Sequence, residues 1–384
     1  MIQSRIVLHF PGFEPLDAEA HHQRYKRSAA QASAVWNAGF EVGELACDRR
    51  GAHFPVDADV AGWNTSAKIH VFDHNTLITT MRVEPLWTQI GRGFRAGWDV
   101  VVQGGAWAYF RNAWRFGLFF LFPYLFLAAG LALGVNIAAI PTALELSAWW
   151  FALSVPAGYL IFRYGVIRFA DRYHVLHLLA DWRLAVAVAE NRQGIASWID
   201  QAAAQVLAAL EEPADEILVT SHSMGANFAV SVIARVFELA PEALKGRRLV
   251  FVTLGGAVLQ CSLLSSAAVL RGRIGALARR PDVDWFDIQC LTDPIHLYKC
   301  HTVALSGHKD APQPRLVFIR FKHAMSQSRY EKNRRDFLRM HRQYVLGPDQ
   351  PSGFDFTLMT AGPLPANTFQ ALDSQKPPAI PARS

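Results

Sequence analysis

Residues 216–230 read EILVTSHSMGANFAV, and within them Ser223 is the side chain best placed to do chemistry. A short apolar run at 217–219 gives way at once to Ser221-His222-Ser223-Met224-Gly225, and small and apolar residues suited to a helix follow. The pattern predicts strand, sharp turn, helix. At such a turn a serine hydroxyl is pushed into the open at the end of a sheet, and an oxyanion formed there faces the positive end of the next helix. Strand and helix pass so close that the flanking positions must be nearly free of side chain. Gly225 meets that demand and Ser221 nearly does, standing where the pattern G-x-S-x-G has its first glycine. With a base nearby, the chemistry is nucleophilic attack through a covalent intermediate. A second group, His174, His177 and Asp181, has helical spacing that could face a metal. No fourth ligand is evident nearby and a polar helix face explains the spacing as well, so neither a metal nor an organic cofactor is expected.

The SHSMG string, the strand before it and the downstream order Ser, Asp, His resemble the α/β-hydrolase superfamily, in particular its lipases and esterases. The string RMHRQY at 339–344 is similar to the Arg-x-His-x-Gln-Tyr string of membrane-anchored bacterial hydrolases. The resemblance implies an α/β fold, a mostly parallel sheet with helices on both faces. It also implies a catalytic triad. Asp293, at the end of a strand at 285–291, would orient the histidine, in preference to Asp284 and Asp287, which lie at or inside that strand's start. His341 would be the base, with His323, directly after a strand at 315–321, as the alternative. One oxyanion donor would be the N–H of Met224. The other would come from Phe13 or Glu14, in the loop Pro11-Gly12-Phe13-Glu14-Pro15 that follows a first strand at 5–10.

The remaining elements must position these groups. Helices are expected at 17–39, 85–116, 169–190, 195–210 and 330–344, and further strands at 68–72, 79–83, 248–254 and 354–360. From 361 onward the proline, alanine and polar mix has no apolar period and reads as a disordered tail.

Two stretches belong to lipid. Residues 116–144 contain no side chain charged at neutral pH and 146–162 form a second uncharged run, each long enough to cross about 30 Å of hydrocarbon. The preceding segment sets Trp87, Ile90, Phe94, Trp98 and Val101 on one helical face, with Arg92, Arg95, Arg111 and Arg115 around them, a pattern suited to a bilayer interface. Arginines flank both runs while their connection carries only Glu145, so both chain ends are expected in the cytoplasm and the two spans in the inner membrane. A re-entrant hairpin is the alternative. Gly130 and Gly134 could pack the two helices together or join two copies as a homodimer.

Composition agrees with this division. Of 384 residues, 51% are apolar and only 18% charged, oily for a soluble enzyme, and the net charge of +6 favours anionic partners. The basic residues are scattered beside apolar segments, which suits an anionic membrane surface better than nucleic acid. Cys47, Cys261, Cys290 and Cys300 lack metal-type spacing and suit a reducing compartment. The start, MIQSRIVLHF, reads as a strand and not as a secretory leader. The expected organisation is residues 1–84 as the first part of a hydrolase domain, 85–170 as an inserted interfacial helix and transmembrane hairpin, 171–360 as the remainder with the catalytic groups, and 361–384 as tail. The expected activity is cleavage of an ester in a lipid or other apolar substrate. Alternatives are a thioesterase, amidase or acyltransferase on the same triad, or a non-catalytic membrane scaffold.

Overall fold

The computed structural model describes residues 1–244 and 246–383. Its centre is an α/β arrangement around one mixed sheet, with strand order β2-β4-β5-β1-β6-β7-β8-β9 and β3 paired to β4. The strands are β1 Ser4–Phe10, β2 Gly39–Val42, β3 Ala46–Asp48, β4 Gly51–Val60, β5 Trp63–Val71, β6 Glu216–His222, β7 Leu249–Leu254, β8 Val283–Cys290 and β9 Arg315–Ile319. From β5 through β9 all neighbours are parallel, whereas β2, β3, β4 and β5 pair antiparallel. A mostly parallel sheet was the expectation; the antiparallel extension makes it mixed. It arises at the two-residue turn Ala61-Gly62, where φ is 53° and 81°, the double positive φ that matches a tight hairpin to strand twist. Alanine there gives a sequence reader no warning.

β6 is buried along its whole length. Ile217 and Val219 enter the core on one face and Leu218 enters the core on the other, the period of two that a sheet imposes. The first face is covered by the helices Val175–Ala189, Gln193–Ala209 and Gly225–Leu239, the second by Ala18–Trp36 and the C-terminal residues.

Several expected elements change. Residues 79–83 are not a strand but the end of a helix, Asn75–Arg82, because Ile78 must be buried on one side only and Asp73 accepts from the N–H of Asn75 at its start. Residues 354–360 also form a helix, Phe356–Ala361, capped by Asp355, which accepts from the Leu358 N–H. Its alternating sequence misleads because every residue in it is buried, the threonines included. The single helices expected at 85–116 and 169–190 each break at a residue with positive φ, Gly104 and His174.

The tail expected to be disordered is packed through Leu364, Ala366 and Phe369. Arg5, fully buried in β1, donates to the carbonyls of Met359, Gly362 and Leu364 and to Glu216, whose other oxygen accepts from the Ala366 N–H. A buried ion pair thus satisfies backbone that no regular element serves, and irregular backbone carries no periodic signature.

Two helices are long and apolar enough to cross a membrane, Trp114–Ala138 and Ala148–Arg172. They form two antiparallel arms. A β-carbon on Gly158 would overlap the carbonyl oxygen of Gly134, and one on Gly130 would overlap the side chain of Val166. The small-residue face at Gly130 and Gly134 is therefore packed against the chain's own second arm. The base of the first arm is not free in lipid: Phe116 and Phe120 are buried against Trp182 of the globular body. Exposed tryptophans lie at both ends of the hairpin, Trp107 and Trp114 near its base and Trp149 and Trp150 near its tip.

Candidate active site

Ser223 stands between β6 and the helix Gly225–Leu239 with φ at 52°, a conformation that a side chain adopts only when its surroundings force it. The surroundings do. The Ser223 N–H donates to Leu254 of β7, and its carbonyl accepts from Ala226 and Ala257. A β-carbon on Gly225 would overlap the carbonyl oxygens of Phe10 and Pro11, so glycine is what allows the end of β1 to lie against the turn. This contact carries the loop after β1 to the serine: a β-carbon on Gly12 would sit 3.1 Å from that of Ser223.

Ser223 shares one cavity with His341, and Gly12, Phe13 and Glu14 line it too. Asp293 lies three residues beyond β8, its N–H returning to the Cys290 carbonyl and its Oδ1 accepting from the Ile295 N–H. Its Oδ2 accepts from His341 Nδ1 at 2.7 Å. Burial alone would raise the Asp293 pKa, but the imidazoles of His341 and His296 hold it below the usual carboxylate range. An ionised acceptor on Nδ1 fixes the proton there and turns the lone pair of Nε2 outward. That nitrogen is buried and has no partner among the described residues; no hydrogen bond joins it to Ser223 in this resting arrangement. The backbone N–H groups of Met224 and Phe13 likewise have no acceptor among the described residues.

His341 reaches the site because its segment is fastened at several points. The helix Phe337–His341 is capped by Asp336, and a short 3-10 turn follows it. The Tyr344 hydroxyl accepts from the Cys290 N–H at 2.8 Å, and the ring of Tyr344 lies against Gly255, whose φ of 52° and missing side chain make room. His222, the residue before the serine, donates from Nε2 to the His341 carbonyl at 2.9 Å, and the two rings lie 4.5 Å apart.

The other candidates lie elsewhere. His323 donates from Nδ1 to the Ser374 carbonyl and does not line this cavity, so of the two histidines only His341 joins Ser223 and Asp293. Asp287 is buried among polar partners of its own, Thr253 and Gln289, and burial raises its pKa. His174 stands at the helix break and does not line this cavity, and among the described residues no group of three or more His, Cys, Asp or Glu side chains is arranged to hold a metal ion. His177 and Asp181 instead line the cavity, where burial lowers the histidine to about 3 and raises the aspartate to about 6.

Several lining side chains play parts that the sequence did not signal, including that of Glu14, which was a candidate only through its backbone N–H. His222 occupies a variable position of the motif. Glu14 accepts from Arg24 and lies 2.6 Å from the guanidinium of Arg342; burial would raise its pKa, but the two arginines bring it to about 2. Phe119 comes from the first arm, so hydropathy marks it as lipid-facing, yet it forms part of the cavity wall.

Compared with known proteins, the chain matches no family model, no curated protein and no solved structure.

Proposed function

We propose that the chain is a membrane-anchored serine hydrolase, organised like an α/β-hydrolase, that cleaves an ester in a lipid or other apolar substrate. The observation that carries this reading is the strained Ser223 sharing a cavity with His341, whose Nδ1 is held by the buried Asp293 at 2.7 Å. In the reaction His341 Nε2 takes the Ser223 proton as Oγ bonds to the ester carbonyl carbon. Asp293 stabilises the imidazolium, and the oxyanion accepts from the N–H groups of Met224 and Phe13. The carbon–oxygen bond to the alcohol breaks, and the alcohol leaves with the proton from His341. Water, deprotonated by the same ring, attacks the acyl-serine; Ser223 regains its proton and a carboxylic acid departs. Thioester or amide cleavage and acyl transfer to another alcohol use the same groups.

The two apolar helices anchor this domain in the inner membrane with the site on the cytoplasmic side. Arginine abundance beside the arms, against the lone Glu145 between them, supports that orientation.

A second reading, a non-catalytic membrane scaffold, draws on the missing hydrogen bond between Ser223 and His341. One experiment separates the two. The purified protein is exposed to a fluorophosphonate, and Ser223→Ala is treated alongside. The enzyme reading expects labelling of the wild type and its complete loss in the variant. An unreactive wild type, under conditions where its fold is intact by circular dichroism, is the outcome the scaffold requires.

A further inference from the structure

The cavity beside Ser223 measures about 30 Å³, room for a water or two and for no acyl chain. A long chain must therefore leave it along a wall. One wall is apolar, built from Phe119, Leu178, Ile295 and Leu338. Phe119 belongs to the first arm of the hairpin, and Leu338 to the helix that ends in His341.

From Phe119 a continuous run of aromatic rings leads away from the serine. Phe119 lies 6.0 Å from Phe337, and Phe337 lies 6.3 Å from Phe122, one turn further along the arm. Tyr173 follows at 6.4 Å, then Phe126 at 6.3 Å, then Phe169 at 6.1 Å. Phe169 is 53% exposed on the second arm, beside the exposed Arg168 and Arg172 at the arm's charged end. The run thus connects the catalytic cavity to the arginine-flanked base of the hairpin, the level of a bilayer interface in the membrane-anchored reading. Among the described residues, no hydrogen bond or ion pair ties the helix Phe337–His341 to either arm, so this seam is held by apolar contacts. A hydrocarbon chain can replace such contacts without stranding a polar group, whereas leaving past Glu14 and Arg342 would mean breaking an ion pair whose carboxylate is buried.

We propose that the substrate is an acyl ester resident in the membrane that holds the hairpin, and that its chain lies in the seam between the first arm and the helix Phe337–His341, along this run of rings. The proposal rests on the hydrolase reading of Ser223. Phe119 and Phe337 then determine chain-length preference.

The test uses an alkyl fluorophosphonate whose long chain ends in a photoreactive diazirine, applied to the full-length protein in phospholipid vesicles. Ser223 Oγ bonds to phosphorus and fluoride leaves; irradiation then records where the chain end lies. Cross-links in 114–138, 165–173 or at Phe337 are expected. An adduct on Ser223 with cross-links only to other elements overturns the seam while leaving the hydrolase intact. No adduct on Ser223 overturns both. As a second readout, Phe119→Trp narrows the seam and should shift the ratio of dodecanoyl to butyryl ester kcat/KM roughly tenfold toward the short ester. Labelling of Ser223 by a short-chain phosphonate counts the folded sites, and an unchanged ratio overturns the assignment.

Discussion

A histidine buried without a hydrogen-bond partner is tolerable only as the neutral ring, and this protein contains such a group in His74. Both its nitrogens lack partners among the described residues, its ring stacks on Phe228 at 4.5 Å, and burial lowers its pKa to about 3. His222 and His177 are lowered similarly, and His21 and His70 to about 4, in each case chiefly by burial. Because the folded values lie below the unfolded 6.5, the unfolded chain binds more protons between them. The contribution is fully present above pH 6.5 and is lost as pH falls toward the folded value. His74→Phe keeps the stacked shape and removes the proton site. Urea unfolding at pH 7 and pH 5 should show the variant losing about 2 kcal/mol less than the wild type on acidification. An equal loss in both proteins would mean that His74 is hydrated in solution. None of this was legible in the sequence, where the histidines are scattered and their burial depends on distant neighbours.

Elements are fixed here by partners far away along the chain. Arg5 in β1 was foreseen only as part of a strand, yet its guanidinium holds three carbonyls between 359 and 364 and pairs with Glu216 at 2.6 Å. Replacing it by methionine leaves Glu216 buried without its countercharge and the three carbonyls without donors. Arg5→Met should destabilise the protein by about 3–5 kcal/mol. In hydrogen exchange, amides of 358–369 should lose protection before those of β6 and β7. If 358–369 keeps its protection, the segment is held by apolar burial and not by the arginine. The same dependence on distant partners makes residues 354–360 a helix despite their strand-like alternation. Alternation signals a strand when polar residues face water, and here the threonines face protein.

At the scale of the molecule, the hairpin and the sheet domain share a core. Tyr109, Phe116 and Phe120 pack around Trp182, and the Tyr109 hydroxyl donates to the Gln260 carbonyl. Orientation of the whole can be read from one thiol, since Cys47 is exposed while Cys261, Cys290 and Cys300 are buried. A membrane-impermeant maleimide should modify Cys47 in inverted inner-membrane vesicles and leave it untouched in intact spheroplasts, with Cys47→Ser as the control. The opposite pattern would put the sheet domain outside the cytoplasm.

What the sequence alone determined is what short-range physics governs. Crowding at a strand-to-helix turn selects Ser221 and Gly225 around Ser223, and two uncharged runs mark helices long and apolar enough to cross a membrane. Those demands act on neighbouring residues, so they leave a local trace. The selection of His341 over His323, the antiparallel extension at Ala61-Gly62 and the ordering of the tail by Arg5 belong to the tertiary structure. The first and the last depend on groups tens to hundreds of residues apart meeting in a low-dielectric interior, where a single carboxylate or guanidinium outweighs local preference, and the extension turns on a positive φ that alanine does not announce.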